Sequence, residues 1–178
     1  MDPEKIINKY YSQDFQRTKI LINHSKKVAL KALKIARKNK KLNLDLEFIE
    51  KSCLIHDIGI YLVEAPLIDC HGSLPYICHG YLGREIMDKE NFPEYGLICE
   101  RHIGVGLTLE EIKDRKLPLP LRDMIPLTNE EQIVCLADKF FSKRSEKEVS
   151  FNEVKKEIEN HGISHKQRLI AMASKFNL

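Results

Sequence analysis

Apolar residues recur three and four apart along most of the 178-residue chain, and strand-like alternation is nearly absent. Residues 3–11 read as a short opening helix, with Pro3 placed where a missing backbone N–H costs nothing. Residues 15–39 read as one long helix whose apolar stripe runs through Ile20, Leu21, Val28, Ala32 and Ile35. His24 falls on that stripe, so its side chain is expected to face the core. Asn43 offers an N-cap for the next helix, with Asp45 and Glu47 in its first turn. Leu46, Ile49, Cys53 and His56 follow on one face, and Gly59 marks the expected end. Residues 60–77 carry Pro66, Gly72 and Pro75 with little periodicity and read as irregular.

Downstream, a helix is expected from about 78 to 89, with His79 at its start and Leu82, Ile86 and Met87 along it. Another runs from about 93 to 102, with Tyr95, Ile98 and His102 on one face, and Ile103-Gly104-Val105-Gly106 stops it. Four capping boxes then open four helical patterns: Thr108 with Glu111, Thr128 with Glu131, Ser150 with Glu153, and Ser164 with Gln167. Pro118, Pro120 and Pro126 space the loop between the first two. The pattern from 128 to about 143 is apolar (Ile133, Val134, Leu136, Ala137, Phe140, Phe141), yet Asp138 sits inside it. The expected fold is all-α: a single-domain helical bundle over residues 1–178, with a core at about 20–142, a C-terminal helical hairpin at about 150–176, and a hinge at 143–150.

Composition narrows this picture without redirecting it. The length suffices for a core that needs no disulfides and no structural metal. A formal net charge of +3 is too mild to argue for a nucleic-acid polymer as partner, and the basic residues between Lys26 and Lys41 alternate with apolar ones as on a solvated helix face. No run reaches transmembrane length, and the first residues do not resemble a signal peptide, so neither a membrane partner nor secretion is expected. Five scattered cysteines, three of them (Cys53, Cys99, Cys135) inside apolar patterns, read as reduced core thiols of a cytoplasmic protein.

Six polar residues fall on apolar faces: His24, His56, Asp57, His79, His102 and Asp138. Singly, each histidine reads as a satisfied core residue and Asp138 as a buried acceptor. Together they come from five helices or helix ends, as the inward-pointing ligands of a bundle metal site do. Imidazole with carboxylate suits iron, manganese, zinc or cobalt better than magnesium. Six ligands exceed one ion's need, which points to two divalent metal ions with Asp57 between them. Such a pair activates water at neutral pH and clamps phosphoryl oxygens.

The order His24, His56-Asp57, His79, His102, Asp138 resembles the HD-domain superfamily of metal-dependent phosphohydrolases, and His56-Asp57-Ile58-Gly59 is similar to its HDIG core. The resemblance covers about residues 20–142. It implies that His24, His56, Asp57 and Asp138 hold a first metal, and that His79 and His102, with Asp57 bridging, hold a second. Iron is the first expectation, with manganese, cobalt, nickel or zinc as alternatives. It further implies hydrolysis of a nucleotide or other small phosphate ester by a metal-bridging hydroxide, with Asp57 catalytic, and Lys139 and Arg101 as candidate phosphate-holding cations. Arg84 is expected to pair with a glutamate instead, and His71 is a further ligand candidate. Cys70-His71 with Cys78-His79 mimics a zinc-finger spacing, but His79 is already claimed. The same six-ligand order also serves a branch of mixed-valent di-iron oxygenases, and a catalytically inactive ligand-binding domain is the non-enzymatic alternative. The oligomeric state, homodimer included, is left open. Specificity is expected in the loops 60–77 and 103–127.

Overall fold

The computed structural model describes every residue except 13, 14, 144 and 146. Its centre is α2 (Gln16–Lys38), which buries Leu21, His24, Val28, Ala32 and Ile35 on one side. Ahead of it, α1 (Pro3–Tyr10) starts where Asp2 accepts hydrogen bonds from the N–H groups of Glu4 and Lys5 and Pro3 occupies the first helical position. Helix α3 (Leu46–Ile55) is capped by Asp45, whose side chain accepts from the Phe48 N–H at 2.8 Å. Asn43, expected as that cap, lies in the left-handed region (φ 48°) and turns the chain out of a short 3₁₀ segment instead.

The HDIG stretch ends α3 in an unexpected manner. His56 is the C-cap, Asp57 leaves helical geometry at φ −101°, ψ 13°, and a 3₁₀ turn runs from Ile58 to Leu62. Gly59, expected to mark the end of α3, is not among the positive-φ glycines. Its reason is contact. A Cβ there would lie 2.3 Å from the His79 carbonyl oxygen and 2.6 Å from the Gly83 nitrogen, so only glycine lets this turn meet α4 (His79–Lys89) backbone to backbone.

Residues 60–77 hold more structure than their composition announces. A short hairpin pairs β1 (Glu64–Ala65) antiparallel with β2 (Cys70–His71), with a 3₁₀ turn at Pro66–Ile68 in its loop and another at Tyr76–Cys78 after it. Helices α5 (Pro93–Arg101), α6 (Leu109–Asp114), α7 (Asn129–Asp138), α8 (Phe151–Glu159) and α9 (Ile163–Lys175) complete the chain. The boxes at Thr108–Glu111 and Ser150–Glu153 form in full. Thr128 accepts from the Glu131 N–H, but the Glu131 carboxylate turns to the Leu127 N–H and to Arg101. The fourth expected box does not form: α9 begins at Ile163 behind Gly162 (φ 124°), and Ser164 lies inside the helix, where its hydroxyl donates to Glu111.

One buried cluster runs from Val28, Ala32 and Ile35 through α3 and α7 to Val154 and Ile158 of α8 and Leu169, Met172 and Phe176 of the C-terminal segment. The hairpin α8–α9 therefore shares the main core. Phe176 is 1% exposed, a burial worth about 1.5–3 kcal/mol, and the Asn39 side-chain amide donates to its carbonyl at 3.0 Å and to that of Ile35 at 2.9 Å. A second cluster joins Ile6, Tyr11, Leu21, Ile55, Ile58 and Met87. The five cysteines are buried and free. Among the described residues, no helix is long and apolar enough to cross a membrane.

Candidate metal centre

The six expected ligands converge on one point between α2, the ends of α3, α5 and α7, and the start of α4. They fall into two groups that share Asp57: His24, His56, Asp57 and Asp138 in one, Asp57, His79 and His102 in the other. The two oxygens of Asp57 divide the labour. Oδ2 lies 3.1 Å from His56 Nε2 and 3.3 Å from His24 Nε2, while Oδ1 lies 3.2 Å from His79 Nε2 and 3.4 Å from His102 Nε2. Asp138 Oδ1 closes the first group, 2.9 Å from His24 Nε2 and 3.4 Å from His56 Nε2.

Backbone carbonyls orient three of the four imidazoles. His56, His79 and His102 each donate from Nδ1 to the carbonyl three residues earlier, on Cys53 (2.7 Å), Tyr76 (2.6 Å) and Cys99 (2.7 Å). A carbonyl only accepts, so Nδ1 carries a hydrogen and Nε2 is the nitrogen turned inward, the arrangement of a metal-ligating histidine and its supporting acceptor. The consequence is an unfavourable meeting. Nε2 of His79 and Nε2 of His102 face each other at 3.2 Å, two lone pairs with no hydrogen between them. Nε2 of His56 and both oxygens of Asp57 are likewise buried without a well-formed hydrogen bond. Buried atoms left in this state are costly unless a cation satisfies them. Donor atoms about 3 Å apart are also the spacing expected around an ion whose bonds are roughly 2.0–2.2 Å. The residues fit divalent metal.

The electrostatics agree. Burial would raise the carboxyls of Asp57 and Asp138, but the histidines and Lys143 or Lys139 beside them hold both well below the ordinary range, so both are anionic. Burial drives His102 down to about 4, so it is neutral and ready to ligate. His56 moves the opposite way: burial opposes its charge, yet the carboxylates of Asp57 and Asp138 raise it to about 9 in the metal-free chain.

Two lysines stand at the mouth. Lys139 reaches the centre because α7 ends at Asp138; its Nζ is 2.7 Å from Asp138 Oδ2 and donates to the His102 carbonyl at 3.1 Å. Lys143 carries no signal in the sequence, where the helical pattern runs on to it and places it on no particular face. Its Nζ lies 2.6 Å from Asp57 Oδ2. Burial disfavours its charge, but Asp57, Tyr76 and Asp138 keep it protonated. Arg101 is not brought to the centre. Its guanidinium grips both carboxylate oxygens of Glu131 at 2.8 and 3.0 Å, which leaves the expected phosphate role without geometric support. Arg84 pairs with Glu100, which Arg122 also holds. His71 is exposed and faces Asp69 at 3.3 Å, away from the cluster. Cys70 and Cys78 point their thiols at the carbonyls of Ile68 and Pro118, so no second zinc-type group forms among the described residues.

Two cavities open on the centre and share Tyr76, Asp138, Lys139 and Lys143 as a common wall. The larger, about 560 Å³, runs between the 64–68 segment and α8, with Leu67, Val154 and Ile158 on its sides and Glu64 and Glu157 at its edge. The smaller, about 310 Å³, lies over His79 and His102 and reaches Arg115, His161 and His165.

The HD-domain family model matches residues 21–143, and the chain belongs to that family. It is 42% identical over 117 residues to an uncharacterised protein of Methanocaldococcus jannaschii, a match covering 64% of this chain and 62% of that one. It is 32% identical over 172 residues to the tRNA (cytidine(56)-2'-O)-methyltransferase of Thermoplasma volcanium, covering 96% of this chain and 44% of the relative. A protein of the same name from Picrophilus torridus is 33% identical over 124 residues, covering 69% of this chain and 32% of the relative. The chain thus spans less than two thirds of the length of each. No solved structure matches it at a significant level.

Proposed function

We propose that the protein is a metal-dependent phosphohydrolase acting on a nucleotide or other small phosphate ester. The observation that carries this reading is the single carboxylate of Asp57 turning one oxygen to each of two histidine groups, with Lys139 and Lys143 held at the entrance. His24, His56, Asp57 and Asp138 would hold one divalent ion, and His79, His102 and Asp57 a second. When bound, such a pair supplies a nucleophile at neutral pH and neutralises charge on phosphoryl oxygens.

The chain's own residues do the rest. His56, His79 and His102 are locked by their carbonyl partners, so the ligand geometry is set before substrate arrives. Lys143 is paired with Asp57 and Lys139 with Asp138; each ammonium is placed to turn toward an incoming phosphate and stabilise its developing charge. Two relatives are named for a tRNA modification, but that activity belongs to proteins more than twice the length this chain matches, and the substrate proposed here is small.

The test is phosphate release. The full chain, loaded anaerobically with ferrous iron and separately with manganese, is assayed on mono-, di-, cyclic and dinucleoside phosphates and on an RNA oligonucleotide ending in a 2',3'-cyclic phosphate. Asp57→Ala serves as the blank. Release from a small ester with manganese, absent in the blank, supports the reading. Substrate-dependent oxygen consumption by the iron form, with no phosphate released from the panel, overturns it in favour of the oxygenase chemistry.

A further inference from the structure

The smaller cavity is bordered on one side by His161 and His165, which lie beyond the HD-domain match at 21–143. His165, near the start of α9, is 2% exposed. Its Nδ1 lies 3.4 Å from Glu111 Oε1 and 3.4 Å from Ser164 Oγ. The Ser164 hydroxyl gives its own hydrogen to Glu111 at 2.9 Å. The Glu111 carboxylate also accepts from the Thr108 N–H and from Arg168. Burial alone would raise that carboxyl, but these donors hold it down at about 2, so it is an anion that only accepts. Nδ1 of His165 therefore carries the hydrogen, and the ring is steered from behind. Its other nitrogen, Nε2, is buried without a hydrogen-bond partner among the described residues, on a side chain that lines the same cavity as His79 and His102.

The same cavity is lined by cationic side chains. Arg115 and His161 line the cavity from the end of α6 and the turn before α9, and the His161 and His165 rings stand 6.2 Å apart. Lys139 and Lys143 form the wall toward the metal ligands. The acid on this wall is Asp138, already paired with Lys139. Glu111 is satisfied from behind by Arg168 and Ser164. A half-open pocket lined by Arg115, Lys139 and Lys143, with one unmet hydrogen-bonding nitrogen and next to a centre that suits phosphoryl groups, calls for a second anionic group on the same ligand.

We propose that Arg115, His161 and His165 form a recognition subsite for a second phosphate, so that the preferred substrate carries at least two phosphate groups. This rests on the phosphohydrolase reading and deepens it. A phosphate oxygen and the His165 Nε2 lone pair share one proton, and the Glu111 carboxylate balances the imidazolium from the other side. Arg115 adds a guanidinium suited to phosphate oxygens. The discriminating contacts thus come from the C-terminal hairpin and from α6 rather than from the ligand-bearing helices.

The first experiment needs no turnover. The metal-free full chain is titrated with inorganic pyrophosphate and separately with inorganic phosphate, while the ring nitrogens of His165 are followed by nitrogen-15 correlation spectra. Pyrophosphate is expected to bind at least tenfold more tightly than phosphate and to move the His165 Nε2 resonance from the unprotonated toward the protonated range. Arg115→Ala, a change at an exposed side chain, is expected to weaken pyrophosphate at least fivefold. Equal affinity for the two anions, or a His165 resonance that stays still at saturation, overturns the subsite. The second experiment is kinetic: with manganese bound, His165→Gln is expected to raise KM for adenosine diphosphate at least tenfold more than for adenosine monophosphate. An equal rise for both overturns the proposal. If neither ester is hydrolysed, the phosphohydrolase reading fails while the titration still decides the subsite.

Discussion

His56 and Asp57 are consecutive residues whose side chains meet at one point, Nε2 to Oδ2 at 3.1 Å. Inside an α-helix, consecutive side chains diverge by about 100°. They converge here because α3 ends at Ile55 and Asp57 leaves helical dihedrals, so the pair spans a helix terminus rather than a helix face. Replacing Asp57 with asparagine removes the one group common to both halves of the centre. Asp57→Asn is expected to lose all bound metal, whereas His102→Ala loses only the ion of the second group. Metal content by plasma emission after desalting checks both, and equal retention by the two variants would contradict the bridging role.

Metal uptake should be pH-dependent through His56. Its folded value of about 9 lies above the ordinary 6.5, so the metal-free fold holds a proton there that the unfolded chain releases more readily. The stability this gives the metal-free protein is fully present below pH 6.5 and is lost as pH rises through 9. A ligand must be deprotonated, so apparent affinity for manganese should rise about tenfold per pH unit between roughly 7 and 9 and then level. Calorimetry in buffers of different ionisation enthalpy should find about one proton released per first-site ion at pH 7.

Lys143 and a bound cation compete for the same carboxylate. Lys143→Met should cost the metal-free protein about 2–4 kcal/mol, because Asp57 is left buried without its ammonium. With manganese bound, the loss should shrink to under about 1 kcal/mol, since the ion takes over as the counter-charge. Thermal melts with chelator and with manganese test this; an equal drop in both states would mean that Lys143 matters for packing alone.

Gly59→Ala should be severe for its size. The added methyl would stand 2.3 Å from the His79 carbonyl oxygen, on the backbone that places His79. Pushing α4 away should cost about 2–3 kcal/mol of stability and weaken the second metal group before the first. A variant as stable as the parent, with unchanged metal content, would refute the close-approach account.

The histidines were legible because each lies in phase with an apolar stripe, and the stripe says where core is. His24 on α2 is the plainest case. Gly59 was visible as a residue and misread as to cause: a helix stop and a helix crossing both demand glycine, and only the partner backbone distinguishes them. Lys139 and Arg101 looked alike, each next to a ligand. They part because α7 ends at Asp138, freeing Lys139 to fold back, while Arg101 is the last residue of α5 and finds Glu131 across the gap. Ser164 fits a capping pattern, in which its hydroxyl would accept from a backbone N–H, but tertiary structure places Glu111 where that hydroxyl donates instead. Lys143 and the Glu111–His165 pair join residues far apart in the chain, and periodicity carries no information about such meetings.

Tyr11 lies ten residues ahead of the family match, yet its hydroxyl donates to the Ile58 carbonyl at 2.7 Å and accepts from the Tyr61 N–H at 3.3 Å. It staples the turn that carries the His56-Asp57 pair. At the other end, the Phe176 carbonyl accepts from the Asn39 side-chain amide, which also donates to the Ile35 carbonyl. The stretch that the family model matches is therefore shorter than what folds as one. A fragment trimmed to the family's borders would keep every metal ligand and lose the fastenings that aim them.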